Sequence, residues 1–125
     1  MGELTTLFDT SALIGSSEGP PPPMAGLSAV SVVAVGELYA GVLLATHGAT
    51  RSARLRRLAV VLSDATVLDI DRAVTTAYGD IRSMAGRVPS NDLWIAATAL
   101  AHDLTLLTRD ERQAALPLVR TRLLS

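Results

Sequence analysis

Apolar residues in this chain fall into short blocks separated by capping and turn-forming positions, and the blocks are of two kinds. Leu4–Phe8, Leu27–Val30, Thr66–Ile70, Leu104–Thr108 and a last run near Leu118–Leu123 are brief and rich in apolar or β-branched residues, so they read as strands. Between them lie helical patterns. Ser11 opens a first helix that is soon stopped by GSSEGPPPP at 15–23, since four prolines cannot continue a helix and favour an extended segment. Ser31 is placed to cap a helix from Val32 to about Ala45, and Thr50 one from Arg51 to about Leu62. Asp71 is placed to cap a helix running to Ala85, with Gly86 as its stop, and Ser90 one from Asn91 to about His102. Asp110–Ala115 reads as a short turn or helix. The order β-α-β-α-α-β-α-α-β-α-β, with mostly apolar strands, predicts an α/β fold: a three-layer α/β/α sandwich around a mainly parallel sheet of about five strands.

Composition narrows the chemistry. At 125 residues the chain is expected to form one domain over 1–125, with a core built from Ala, Val, Leu and Ile because only four residues are aromatic. Cysteine is absent and His47 and His102 are the only histidines, so a metal would be held by carboxylates, which suit Mg²⁺ or Mn²⁺. All eleven basic residues are arginine, and the missing lysine excludes a phosphate-binding P-loop. With a net charge of −1 there is no global basic field to attract nucleic acid. Met24 to Ala45 approaches a membrane span in length, but Glu37 lies deep inside it and glycines dilute it, so a buried strand followed by a buried helix fits better. MGELTT matches the loose myristoylation pattern, yet Leu4–Phe8 is wanted for a strand, and no basic segment precedes an apolar leader. A cytoplasmic protein without a membrane partner is expected.

Open parallel sheets bind ligands beyond the carboxyl ends of their strands, so the acids there matter. Asp9 ends the first strand, and Glu37 lies about two turns into the helix after the second. Asp92 falls in the first turn of the helix leading to the fourth strand, and Asp110 just past that strand. Each has a simpler role open to it: Asp9 and Asp110 as helix caps, Asp92 as a complement to a helix dipole. Glu37 is harder to dismiss, because VVAVGELYAGVLL surrounds it with apolar or small residues and no arginine within a turn or two. Four clustered acids repel one another, and a divalent cation resolves the conflict. Held by carboxylates, such an ion suits phosphoryl-ester chemistry, polarising the phosphate, acidifying water and stabilising charge on the leaving oxygen. Ser11 and Thr108, beside the acids, are candidates to hold a phosphate or a water, or else to satisfy backbone groups at the strand ends.

FDTSALIG, SVVAVGELYAG and NDLWIAATALAHDLTLLTRD resemble, in order and spacing, the three signature blocks of PIN-domain ribonucleases, and above all the VapC-type toxins of bacterial toxin–antitoxin pairs. The likeness covers nearly the whole chain, including VLDIDRAV and YGDIRSMAGRVPSND between the second and third blocks. It implies a PIN-like fold in which Asp9, Glu37, Asp92 and Asp110 form the catalytic metal-binding set and Ser11 and Thr108 the accessory hydroxyls. It further implies Mg²⁺- or Mn²⁺-dependent endonucleolytic cleavage of RNA, a homodimer, and inhibition by a small VapB-type antitoxin that blocks the site. Two departures stand out: the proline run that shortens the first helix, where relatives shape their antitoxin groove, and ERQAALP after Asp110, which lacks the family's frequent aromatic residue.

RNA needs positive charge around an acidic centre. Arg109 and Arg112 flank Asp110 and are the RNA-contact candidates; Arg82 and Arg87 also lie near the later acids. Arg51, Arg54, Arg56 and Arg57 crowd one helix and read better as a solvated face. With so few aromatics, extensive base stacking is not expected. Three rival readings remain to be compared: a PIN nuclease that is not a toxin, a catalytically silent PIN-like binding module, and an aspartyl-phosphate protein. The last is disfavoured, because Ser11 stands where a second acid belongs and no lysine is available.

Overall fold

The structure, a computed structural model, describes residues 3–14 and 27–124. The proline-rich loop at 15–23, the start of the apolar run at Met24 and Gly2 of the amino-terminal pattern lie outside the described residues.

Five strands form one sheet: β1 (Thr6–Phe8), β2 (Ser28–Ser31), β3 (Thr66–Leu68), β4 (Thr105–Thr108) and β5 (Thr121–Leu123). Among the described residues six helices connect them: α1 (Thr10–Ile14), α2 (Val32–Leu44), α3 (Gly48–Asp64), α4 (Arg72–Ala85), α5 (Ser90–Ala101) and α6 (Glu111–Ala114). The element order is the expected one, and every strand pair is parallel. The sheet order is β3-β2-β1-β4-β5, with Leu7 of β1 level with Ala29 of β2 and Leu106 of β4. All four residues of β2 are buried, so this inner strand is covered on both faces, whereas the edge strands β3 and β5 are partly or fully exposed.

Strand order explains where ligands go. From β1 the chain winds outward through β2 and β3, then returns to lay β4 on the opposite side of β1. The crevice beyond the ends of β1 and β4 is therefore the topological switch point, and Asp9 and Asp110 both follow strands that border it.

Local signals set most helix ends. Ser31 caps α2, its Oγ accepting from the Val33 N–H at 3.1 Å, and Asp71 caps α4 through the Val74 N–H at 3.0 Å. Gly86 ends α4 at φ 72°, a conformation that a side chain strains. Helix α5 closes with paired bonds from the Asp103 N–H to Leu100 O (3.2 Å) and the Leu104 N–H to Ala99 O (2.8 Å). Asp103 takes the left-handed position at φ 55°, and Arg120 binds both its carboxylate and its carbonyl.

Several boundaries differ from expectation. Helix α3 begins at Gly48 with His47 as an N-cap lacking a side-chain bond, so Thr50 is not its cap. Pro89 rather than Ser90 is the N-cap of α5, and Ser90 is its first residue. Strand β2 lies one residue later, because Ser31 both ends the strand and caps the helix. Strand β5 is shorter than its apolar run, since Leu118 adopts φ 72° and cannot extend the ladder. Among the described residues no helix is long and apolar enough to cross a membrane. Helix α2 spans 13 residues, about 20 Å at an α-helical rise, which is well short of a bilayer core.

Candidate active site

Asp9 follows β1 directly and is 4% exposed. Its Oδ1 accepts from the Ala12 N–H at 3.0 Å, which makes it the cap of α1, and from the Ser11 hydroxyl at 2.7 Å. Its Oδ2 accepts from the buried Thr108 hydroxyl, also at 2.7 Å. Cap and site are therefore one arrangement: capping holds the carboxylate at the strand end, and two hydroxyls fix its plane. A carboxylate has about four acceptor positions, so three donors leave it one.

The hydroxyls carry a second load. Ser11 Oγ accepts from the Arg109 N–H at 2.9 Å and Thr108 Oγ1 from the Asp110 N–H at 3.0 Å. Each has already given its single proton to Asp9, so their 3.2 Å approach to each other is a contact of lone pairs. Ser11 and Thr108 thus stitch the β1–α1 turn to the β4–α6 turn. Of the two roles open to them, satisfying backbone and carboxylate groups is the one their contacts display.

Asp110 caps α6, its Oδ1 accepting from the Arg112 N–H at 2.9 Å. Glu37 projects from α2 and is partly exposed. Thr10 donates to its Oε1, and Asn91 Nδ2 approaches its Oε2 at 3.4 Å. The apolar helix that made Glu37 look stranded is therefore answered from α1 and α5. Asp92 stands in the first turn of α5 and is partly exposed. Its carboxyl is pushed above the usual range, first by burial and then by the charges of Asp110, Glu37 and Asp9, against a smaller pull from Arg112. All three other candidate acids thus act on Asp92, which places the four in one electrostatic neighbourhood. Among the described residues, however, no three stand close enough to ligate one ion together.

The contacts of three supporting residues escaped sequence reading, although Thr10, like Ser11, is a hydroxyl after Asp9 and so a candidate to orient water or phosphate. Thr10 and Asn91 are the partners of Glu37, and each is adjacent in sequence to a singled-out acid. Gln113, 1% exposed, donates from Nε2 to the Asp92 carbonyl at 2.8 Å and so ties α6 to the first turn of α5. Its Oε1 is buried without a partner among the described residues. Expectation also failed for α3, which is not simply a solvated arginine face. Arg57 is buried, and it lines with Arg54 and Glu37 a cleft of about 200 Å³ between α2 and α3. The spacing Arg54, Arg57, Leu58, Val61 puts these arginines on the helix's buried stripe. Of the RNA-contact candidates, Arg112 is largely exposed and sits 3.8 Å from Asp110, while Arg109 is partly buried behind Ser11.

A five-stranded parallel sheet with an acid after each strand bordering its switch point defines an open α/β domain with a carboxylate-lined ligand edge. The PIN domain model matches residues 6–118, and the chain belongs to the PIN-domain family. It is 42% identical over 118 residues to Ribonuclease VapC4 of Mycobacterium tuberculosis, covering 89% of this chain and 90% of that protein. It is 35% identical to Toxin FitB of Neisseria gonorrhoeae over 65% of this chain and 63% of that one. Among solved structures it resembles VapBC-5 of M. tuberculosis, a member of the VapBC family of toxin–antitoxin systems. That match has a TM-score of 0.81 and 32% identity, and covers 96% of this chain and 98% of that one.

Proposed function

We propose that this protein is an endoribonuclease toxin of the VapC type, hydrolysing RNA phosphodiester bonds at a site built on Asp9, Glu37, Asp92 and Asp110 and restrained by a VapB-type antitoxin. The observation that carries the reading is the buried Asp9 carboxylate held at the end of β1 by three hydrogen bonds, in a chain 42% identical to a ribonuclease over 89% of its length. Acids that repel one another at a ligand-binding edge suit a hard divalent cation, and their oxygens are the donors Mg²⁺ or Mn²⁺ prefers. Asp9, fixed by three hydrogen bonds, is the anchor of that set. Glu37, Asp92 and Asp110, each more exposed than Asp9, would complete it. When bound, the ion supplies Lewis-acid polarisation of the phosphate and stabilises charge on the departing oxygen. Ser11 and Thr108 keep the Asp9 carboxylate oriented, Thr10 and Asn91 do the same for Glu37, and Arg109 and Arg112 are the candidates to meet phosphates. The working form is a cytoplasmic homodimer of one-domain chains. Exposed apolar side chains on α2 and α3, among them Leu43, Leu44, Leu55 and Leu62, support a protein partly covered by partners.

The test is RNA cleavage by purified protein with Mg²⁺ or Mn²⁺, beside EDTA and Asp9→Asn arms. The reading expects cleavage that is lost in both arms. Cleavage surviving EDTA or Asp9→Asn would sink the metal site, and RNA binding without cleavage under any divalent ion would favour a silent binding module.

A further inference from the structure

A cleft of about 440 Å³ opens between the α4–α5 connection and the segment following α6. Its walls are largely apolar, with Val88 and Pro89 on one side and Leu116 and Pro117 on the other. Three charged residues also line it: Arg87, Arg112 and the acid Asp92. The volume is that of a small-ligand site, and the lining pairs a mostly apolar interior with a few polar groups, as such sites do.

We infer that this cleft is a subsite for the nucleotide next to the cleaved bond, its base against the apolar walls and its phosphate between Arg87 and Arg112. The inference rests on the ribonuclease reading above and deepens it by naming where a neighbouring nucleotide is held. Three features carry it. Asp92 belongs both to the cleft and to the acid cluster, so an occupant of the cleft is continuous with whatever lies at the acids. An acidic centre in a chain of net charge −1 repels a polyanion, and binding then depends on cations placed beside it. Arg112 is suited to this, because its side chain is 80% exposed and its approach to Asp110 is a loose 3.8 Å. Flat proline rings and aliphatic side chains accept the face of a base with little demand on its identity, and they stand in here for the aromatic platforms that the composition lacks. The cleft beside Glu37 fits less well: it is about half the size, and Arg54 there already donates to the Gly41 carbonyl at 2.8 Å.

The experiment follows a short single-stranded RNA in two ways. Steady-state cleavage by the full chain is compared for wild type, Arg87→Ala and Ala115→Trp, the last to fill the cleft, with Arg56→Ala on the exposed face of α3 as control. Both cleft variants are expected to raise KM about tenfold with kcat held within about threefold, and to alter which bonds are preferred. Binding of the same RNA to Asp9→Asn protein, with and without Arg87→Ala, needs no turnover and is expected to weaken about tenfold. Wild-type cleavage with KM and binding unmoved by the cleft variants would overturn the subsite and leave the ribonuclease reading standing. Absent cleavage, together with binding that falls in Arg87→Ala, would retire the ribonuclease reading and keep the nucleotide site. Unchanged RNA affinity accompanied by loss of a dimer, or by weaker antitoxin inhibition, would assign the cleft to protein contacts and overturn the inference.

Discussion

Asp9 and Asp92 carry the same functional group and belong to the same proposed site, yet the fold treats them oppositely. Asp9 is buried, and its oxygens take three hydrogen bonds from a backbone amide and two hydroxyls. Asp92 is partly exposed, and its charge is disfavoured first by burial and then by the neighbouring acids. The contrast divides the candidate site into an anchored acid and adjustable ones. Asp9 is satisfied by protein donors, so it contributes to folding whether or not anything binds. Asp92 has its charged form disfavoured by burial and by the neighbouring acids, so a bound cation would stabilise it.

Breaking the anchor is expected to have the largest effect. Asp9→Ala removes the acceptor for three donors, including the α1 cap, and should lower stability by about 2–4 kcal/mol in a denaturant melt. Cleavage should fall with it by about a thousandfold or more. Glu37→Gln should separate activity from stability: cleavage drops about a hundredfold, while the partly exposed side chain leaves the melt within about 1 kcal/mol of wild type. Thr108→Val, at a fully buried hydroxyl that serves Asp9 and the Asp110 amide, should cost about 1–2 kcal/mol and reduce cleavage about tenfold. A loss of activity without any loss of stability at Thr108 would show that its hydroxyl is not part of the anchor.

The smallest effect has a distinctive sign. Because the Asp92 carboxyl is raised when folded, the native protein keeps that proton to higher pH than the unfolded chain does. Its contribution to stability is therefore full below the ordinary carboxyl value of 3.8 and is lost as pH rises through the folded value. Asp92→Asn should raise the melting temperature slightly at neutral pH in EDTA, and the gain should vanish in acid. A lower melting temperature at neutral pH would contradict the repulsion on which the adjustable half of the site rests.

The two halves also differed in how far they could be read in the sequence. Asp9 and Asp110 were placed by local pattern, because an acid after an apolar strand and before a helix is a short-range signal, and their caps follow from it. The strand and helix order was legible for the same reason, since β2 and β4 are short apolar runs and Asp71, Gly86 and Ser31 punctuate helices locally. Partners across the fold were not legible. Thr10 meets Glu37 across 27 positions and Asn91 meets it across 54, and neither neighbour is visible along α2. Arg57 was assigned to solvent because its own helix is rich in charge, and only packing against α2 shows that it faces inward. Gln113 carries no local signal in ERQAALP, yet it supports the first turn of α5 through the Asp92 carbonyl. Helix starts at Gly48 and Ser90 differ from expectation because a nearby Thr or Ser offered a better isolated cap than the one used.

The central claim is that an anchored Asp9 and three adjustable acids gather one divalent-ion site. Mn²⁺ binding followed by calorimetry or by the ion's paramagnetic signal tests it most directly, in wild type and in Asp9→Asn, Glu37→Gln, Asp92→Asn and Asp110→Asn proteins. Saturable binding to the wild type, weakened about tenfold or more by each substitution, is the expected result. Saturable binding that persists undiminished in Asp9→Asn and Asp92→Asn, or no saturable binding to the wild type, would contradict it.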